Sequence, residues 1–120
     1  MEKYNKKIGF FGEDLAVKYL IKKGYRIIDR NVQIGHKEID IITNKDNKIV
    51  FIEVKTRSNF SFDSPEFSVM GKKIKLLKKA IKTYLIRNNS LQSLFQLDLI
   101  VIDIKKNDNM ANIKHYMDIF

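Results

Sequence analysis

Glu38-Ile39-Asp40-Ile41-Ile42-Thr43 and Ile49-Val50-Phe51-Ile52-Glu53-Val54-Lys55-Thr56 are two β-branched, alternating segments joined by Asn44-Lys45-Asp46-Asn47-Lys48. Both read as strands, and the connector has hairpin-turn composition. Alternation places Glu53 and Lys55 on one face and Val50, Ile52 and Val54 on the other, while Glu38 and Asp40 share a face of the first strand. A two-residue turn at Asp46-Asn47 sets Lys45 against Lys48 and, counting back, Asp40 against Glu53. A four-residue loop over Lys45–Lys48 gives the same pairing. An odd-length loop without a bulge turns Asp40 to the wrong face.

Upstream, positions 5–23 carry a helical pattern: Ile8, Phe11, Leu15 and Tyr19 recur at spacings of three and four, and Gly24 stands where a helix C-terminal glycine belongs. Phe10, Phe11 and Tyr19 are expected in the core. Positions 25–32 read as a strand. Downstream, 59–64 is loop-like, with Phe60 and Phe62 as stacking or anchoring side chains, and Ser64-Pro65 has the composition of a helix start. Positions 71–88 predict a second helix with Ile74, Leu77, Ile81, Tyr84 and Leu85 on one stripe. Positions 97–104 predict a strand buried on both faces, and 113–117 a short last strand. The order α-β-β-β-α-β-β predicts an α/β or α+β domain with a mixed central sheet flanked by helices.

The chain has 120 residues, the size of one domain spanning positions 1–120. It contains no cysteine, which excludes a disulfide framework, a thiolate zinc site, an iron–sulfur cluster and a cysteine nucleophile. His36 and His115 are too few for an all-histidine zinc site. Charges interrupt every apolar run, so no membrane span is expected, and Met1 to Lys7 lack the apolar core of a signal peptide, which predicts a cytoplasmic location. The net charge of +9 points to an anionic partner, most often nucleic acid, less often a ribosome or membrane surface. Neither helix pairs its basic face with exposed bulky aromatics, which argues against the membrane.

Asp40, Glu53 and Lys55 are charges inside apolar strands, costly unless paired, metal-bound or at an edge. Two carboxylates about 5 Å apart at Cβ repel each other without a cation. With Mg²⁺ or Mn²⁺ they become hard oxygen ligands, and Lys55 points into the same site to stabilise phosphate charge or hold the attacking water. An ordinary Glu53–Lys55 ion pair on an exposed sheet face explains the same E-x-K. The residues alone leave both readings open. The second helix carries Lys72, Lys73, Lys75, Lys78, Lys79, Lys82 and Arg87, and no acid occurs between Glu66 and Asp98, a gap of 31 residues. A one-signed face reads as a phosphate track, with Arg57, Lys72 and Lys73 the first candidates. Asp98 is expected as a buried hydrogen-bond or ion-pair partner, and His36 as a solvated loop residue.

Gly12-Glu13, Arg30-Asn31, Glu38-Ile39-Asp40, Phe51-Ile52-Glu53-Val54-Lys55-Thr56-Arg57, Lys73, Leu97-Asp98 and the closing Met117-Asp118-Ile119-Phe120 form an ordered set that resembles the YraN-like family of predicted nucleases. The resemblance runs from Ile8 to Phe120. It implies the restriction-endonuclease-like fold, similar to archaeal Holliday-junction resolvases, with Asp40 and Glu53 as metal ligands, Lys55 assisting hydrolysis and Glu13 completing the site. Glu38 is a further ligand or outer partner. Lys37 stands where the family has glycine, and Gln96 where it has arginine before the late aspartate. The expectation is a Mg²⁺-dependent endonuclease acting on branched or structured DNA, with a homodimer suited to symmetric junctions. The competing expectation is a catalytically inactive nucleic-acid or ribosome-binding module of the same fold.

Overall fold

The computed structural model describes residues 2–58, 71–105 and 110–119, with side chains from Phe11 onward except at Ser58 and Lys72. Helix α1 spans Glu2–Lys22, followed by β1 (Arg26–Ile34), β2 (Lys37–Lys45), β3 (Lys48–Ser58), α2 (Gly71–Arg87), β4 (Phe95–Lys105) and β5 (Met110–Tyr116). Ser64-Pro65, Phe60 and Phe62 lie outside the described residues. The five strands form one sheet in the order β1-β2-β3-β4-β5. The β1–β2, β2–β3 and β4–β5 pairings are antiparallel, and β3–β4 is parallel, because α2 and its connections carry the chain back to the same end of the sheet. The architecture is α/β, a mixed sheet with two helices, and is consistent with a restriction-endonuclease-like fold.

Alternation along the strands supplies both faces. Val50, Ile52, Ile100 and Ile102 pack with Ala16 and Leu20 of α1, while Phe51 and Leu97 pack with Leu77, Ala80, Ile81 and Leu85 of α2. β4 is therefore buried from Leu97 to Asp103, apolar except at the paired Asp98 and Asp103, since helices cover it on both sides. The predicted α2 stripe holds: Leu77, Ile81 and Leu85 are buried, and Ile74 and Tyr84 are half-buried.

Helix α1 ends as expected. Gly24 has φ +92°, its N–H donates to Ile21 O, and Tyr25 N–H donates to Leu20 O at 2.9 Å. This is the paired bonding that caps a helix on a left-handed residue. The predicted stripe of α1 needs correction, because Phe11 is 52% exposed. Gly12 is the residue facing the sheet in that turn, so close that a Cβ there would collide with Thr56 Oγ1. Phe11 is thereby turned outward, and the inward face is carried by Ala16 and Leu20, with Tyr19 packed beside them. The side chains of Ile8 and Phe10 lie outside the description. No described helix is long and apolar enough to cross a membrane.

Candidate active site

The β2–β3 turn takes the two-residue form. Asp46 and Asn47 have φ of 51° and 62°, and Lys45 pairs with Lys48. Two successive left-handed residues match the twist of the flanking strands. The ladder then runs regularly to Ile41 opposite Ile52, which makes Asp40 and Glu53 the next positions. There it opens: the Val54 N–H donates to the Asp40 carboxyl at 2.8 Å.

β2 also turns over at this point. Ile39 and Ile41 would share a face of a flat strand. Instead Ile41 packs on the α1 side and Ile39 on the α2 side. On β1, between the Arg30–Ile41 and Val32–Ile39 pairings, Asn31 has φ 51°, a conformation that asparagine tolerates better than most residues. The local twist brings side chains from α1, β1, β2 and β3 to one place.

Asp40 is the hub. Ligand oxygens of Glu13, Glu38 and Asp40 all lie within 4.8 Å of one another. Asn31 Nδ2 holds two of the three, donating to Glu13 Oε1 at 2.7 Å and to Glu38 Oε1 at 2.8 Å. On its other side Asp40 shares a hydrogen bond with Glu53, which is only 3% exposed. Burial, then the Glu53 charge, drives the Asp40 carboxyl upward against the pull of the Val54 N–H, and it is pushed up to about 8. Burial likewise raises Glu13, aided by Glu38 and Glu53 and opposed by Asn31 and Arg30.

Lys73 Nζ, from the first turn of α2, stands 2.5 Å from Glu53 Oε1. Burial pulls its pKa down, but the hydrogen bond and charge of Glu53, with Asp40 behind, outweigh it and the net shift is upward. Lys55 is half-buried, and no hydrogen bond or ion pair engages it among the described residues. Arg57 is braced on β4, with Nε 2.7 Å and Nη2 3.0 Å from the two Asp103 oxygens, a bidentate and nearly buried pair. The Lys72 side chain lies outside the description.

All four acids offer hard oxygen donors, the set that suits Mg²⁺ or Mn²⁺. A proton on Asp40 and an ammonium on Glu53 both answer an excess of negative charge that a divalent cation would answer instead. The Glu13–Glu38–Asp40 cluster could therefore hold a metal ion.

Two features lay beyond the sequence reading. Asn31 stood out only as part of the Arg30-Asn31 motif, although an asparagine inside a strand is unfavourable enough to signal a special backbone or a side-chain task. Lys73 was expected to face phosphate, and the structure sets it on Glu53. Asp98 is fully buried as expected: His115 Nε2 lies 2.7 Å from one carboxylate oxygen, and Gln96 Nε2 and the Asp118 N–H donate to the other. Gln96, the departure from the family's arginine, thus supports Asp98 and in turn accepts from Lys48 Nζ at 3.0 Å.

The model of the family described as "Uncharacterised protein family UPF0102" matches residues 12–102. The chain is similar to a UPF0102 protein of Syntrophomonas wolfei, 41% identical over 117 residues, covering 97% of this chain and 99% of that one. A UPF0102 protein of Carboxydothermus hydrogenoformans is 44% identical over 114 residues, 95% of each chain. One of Alkaliphilus oremlandii is 40% identical over 116 residues, 97% of this chain and 99% of the relative. Matches of this extent include every element that builds the carboxylate cluster, and the chain belongs to the uncharacterised protein family UPF0102, the YraN family.

Proposed function

We propose that this protein is a metal-dependent endonuclease that hydrolyses phosphodiester bonds in DNA. The observation that carries the reading is Asp40. It is held among Glu13, Glu38 and Glu53 with its carboxyl pushed up to about 8, on strands whose ladder opens there. A purely structural aspartate in an apolar strand would gain a cation or donors, not three further acids.

Asp40, Glu53 and Glu13 are the residues that would hold Mg²⁺ or Mn²⁺, with Glu38 tied to the same group through Asn31. When bound, such a cation supplies Lewis-acid polarisation of the phosphate and lowers the pKa of its water. Lys55, two positions beyond Glu53 on the same strand face, steadies the attacking water or the charge developing on phosphate. Asn31 fixes Glu13 and Glu38 in place. Lys73 neutralises Glu53 until a cation takes that carboxylate and would then, with Lys72 at the start of a helix without acidic residues, turn to phosphate, while Arg57, gripping Asp103, braces the strand that carries Glu53 and Lys55.

Branched or otherwise structured DNA is the substrate class, following the resemblance to junction resolvases. Two cuts in a symmetric junction call for two copies of the chain. A cytoplasmic location accords with this role.

The test starts with metal, since it needs no choice of substrate. Mn²⁺ is titrated calorimetrically into wild type and into Asp40→Asn and Glu53→Gln, alone and with junction or duplex DNA. The proposal expects uptake that both substitutions abolish, and cleavage of junction DNA that depends on the same residues. Wild type that takes up no ion even with DNA bound would refute it, leaving a nucleic-acid-binding module of the same fold.

A further inference from the structure

A second feature lies between the β1–β2 turn and α2. The β1–β2 turn, Gly35-His36, arches beside α2, and between them runs a groove of about 440 Å³. Its floor is apolar, made by Ile34, Leu76 and Ala80, and its rim is cationic, with Lys37 on β2 and Lys79 and Arg87 on α2. Leu76 is 51% exposed and opens an apolar surface between the basic side chains of α2. No acidic side chain lines the groove, and no ion pair engages Lys37, Lys79 or Arg87 among the described residues.

The groove runs along α2, the helix whose first turn carries Lys73 beside Glu53. Along α2, Leu76 lies about 4.5 Å and Arg87 about 21 Å beyond Lys73 at ~1.5 Å per residue. A strand leaving the carboxylates along α2 would reach the groove.

We infer that this groove is a subsite for an unpaired DNA strand, taking a base on its floor and phosphates on its rim. The inference rests on the nuclease reading and deepens it. Cationic rims alone would serve any polyanion, but an apolar floor rewards an exposed base face, which a paired duplex keeps stacked inside itself. Charge complementarity selects the phosphate backbone. The exposed imidazole of His36 stands at the mouth as a stacking surface. The groove thus favours junctions, flaps and overhangs over blunt duplex.

The test uses fluorescence anisotropy of labelled oligo-dT and of a blunt duplex, with EDTA present so that nothing is cut. Leu76→Ser combined with His36→Ala alters two exposed side chains and leaves the core intact. The expected result is about a tenfold loss of oligo-dT affinity with duplex affinity unchanged. Lys79→Gln with Arg87→Gln should lower the salt slope for oligo-dT by about 1.4, the value for two single-strand phosphate contacts. Wild-type affinity for oligo-dT in the first variant, or an equal loss for oligo-dT and duplex, would overturn the inference. Mn²⁺ titration of the same variants reads the carboxylate site separately. The groove variants should take up the ion as wild type does, so failure of the subsite and failure of the metal site give different signatures.

Discussion

Metal binding at Asp40 should release a proton, and the amount follows from its surroundings. An ordinary aspartate titrates near 3.8, whereas burial and the Glu53 charge push Asp40 up to about 8. At pH 7 such a group is about 90% protonated, and a metal ligand must be deprotonated, so each ion bound displaces about 0.9 proton from the Asp40–Glu53 pair. Apparent affinity should then climb about tenfold per pH unit until about pH 8 and level off above it. Stability carries the same sign. The folded value lies above the unfolded one, so this group's contribution is fully present below about pH 4 and is lost as pH rises through about 8. Bound metal offsets that loss, and the gain in Tm on adding Mn²⁺ should be larger near pH 8 than near pH 6. Calorimetric titration at pH 7 in two buffers of different ionisation enthalpy counts the protons directly. Binding that releases none, with affinity flat between about pH 6 and pH 8, would refute the reasoning.

Three further outcomes follow from single contacts. Lys73→Ala strips the ammonium from buried Glu53 and should cost about 1–2 kcal/mol in metal-free protein, less than a fully buried pair because Lys73 is 47% exposed, while Mn²⁺ restores more Tm than in wild type; equal restoration would count against the contact. Gly12→Ala drives a methyl into Thr56 and should destabilise by about 1–3 kcal/mol, weaken Mn²⁺ binding by displacing Glu13, and be partly rescued by Thr56→Ala; normal metal affinity would show that α1 need not move. Asp98→Asn should lower stability by about 1–3 kcal/mol in urea unfolding with Mn²⁺ affinity unchanged, because the His115 and Gln96 contacts are structural; altered metal binding would join the two regions.

What could be read from the sequence was local. The β2–β3 hairpin was legible because its turn residues fix register within a few positions, so the Lys45–Lys48 pairing followed from Asp46 and Asn47 alone. Leu77, Ile81 and Leu85 were legible for a similar reason, one periodicity packed against one sheet face. The exposed Phe11 was not, since Gly12 controls how close α1 comes and the sequence pattern does not reveal what it approaches. The site divides the same way. Asp40, Glu53 and Lys55 were visible as charges in apolar strands. The Asn31 bridge depends on a left-handed residue inside a strand, and the Lys73–Glu53 pair joins elements whose relative placement no local pattern encodes.

The parallel β3–β4 pairing sets the order of assembly. Every pair in it, from Ile49–Phe95 to Ser58–Ile104, joins residues 46 apart in sequence, whereas β1, β2 and β3 are linked by tight turns. Closing so long a loop is slow compared with zipping hairpins. The three-stranded meander should form first and wait with the β3 edge, carrying Ile52, Glu53 and Val54, open to the solvent. Glu53 and Lys55 on that edge then act as gatekeepers, charges that discourage pairing with another nascent chain until β4 arrives. The same two side chains would serve solubility during folding before they take up the role proposed for them in the folded protein.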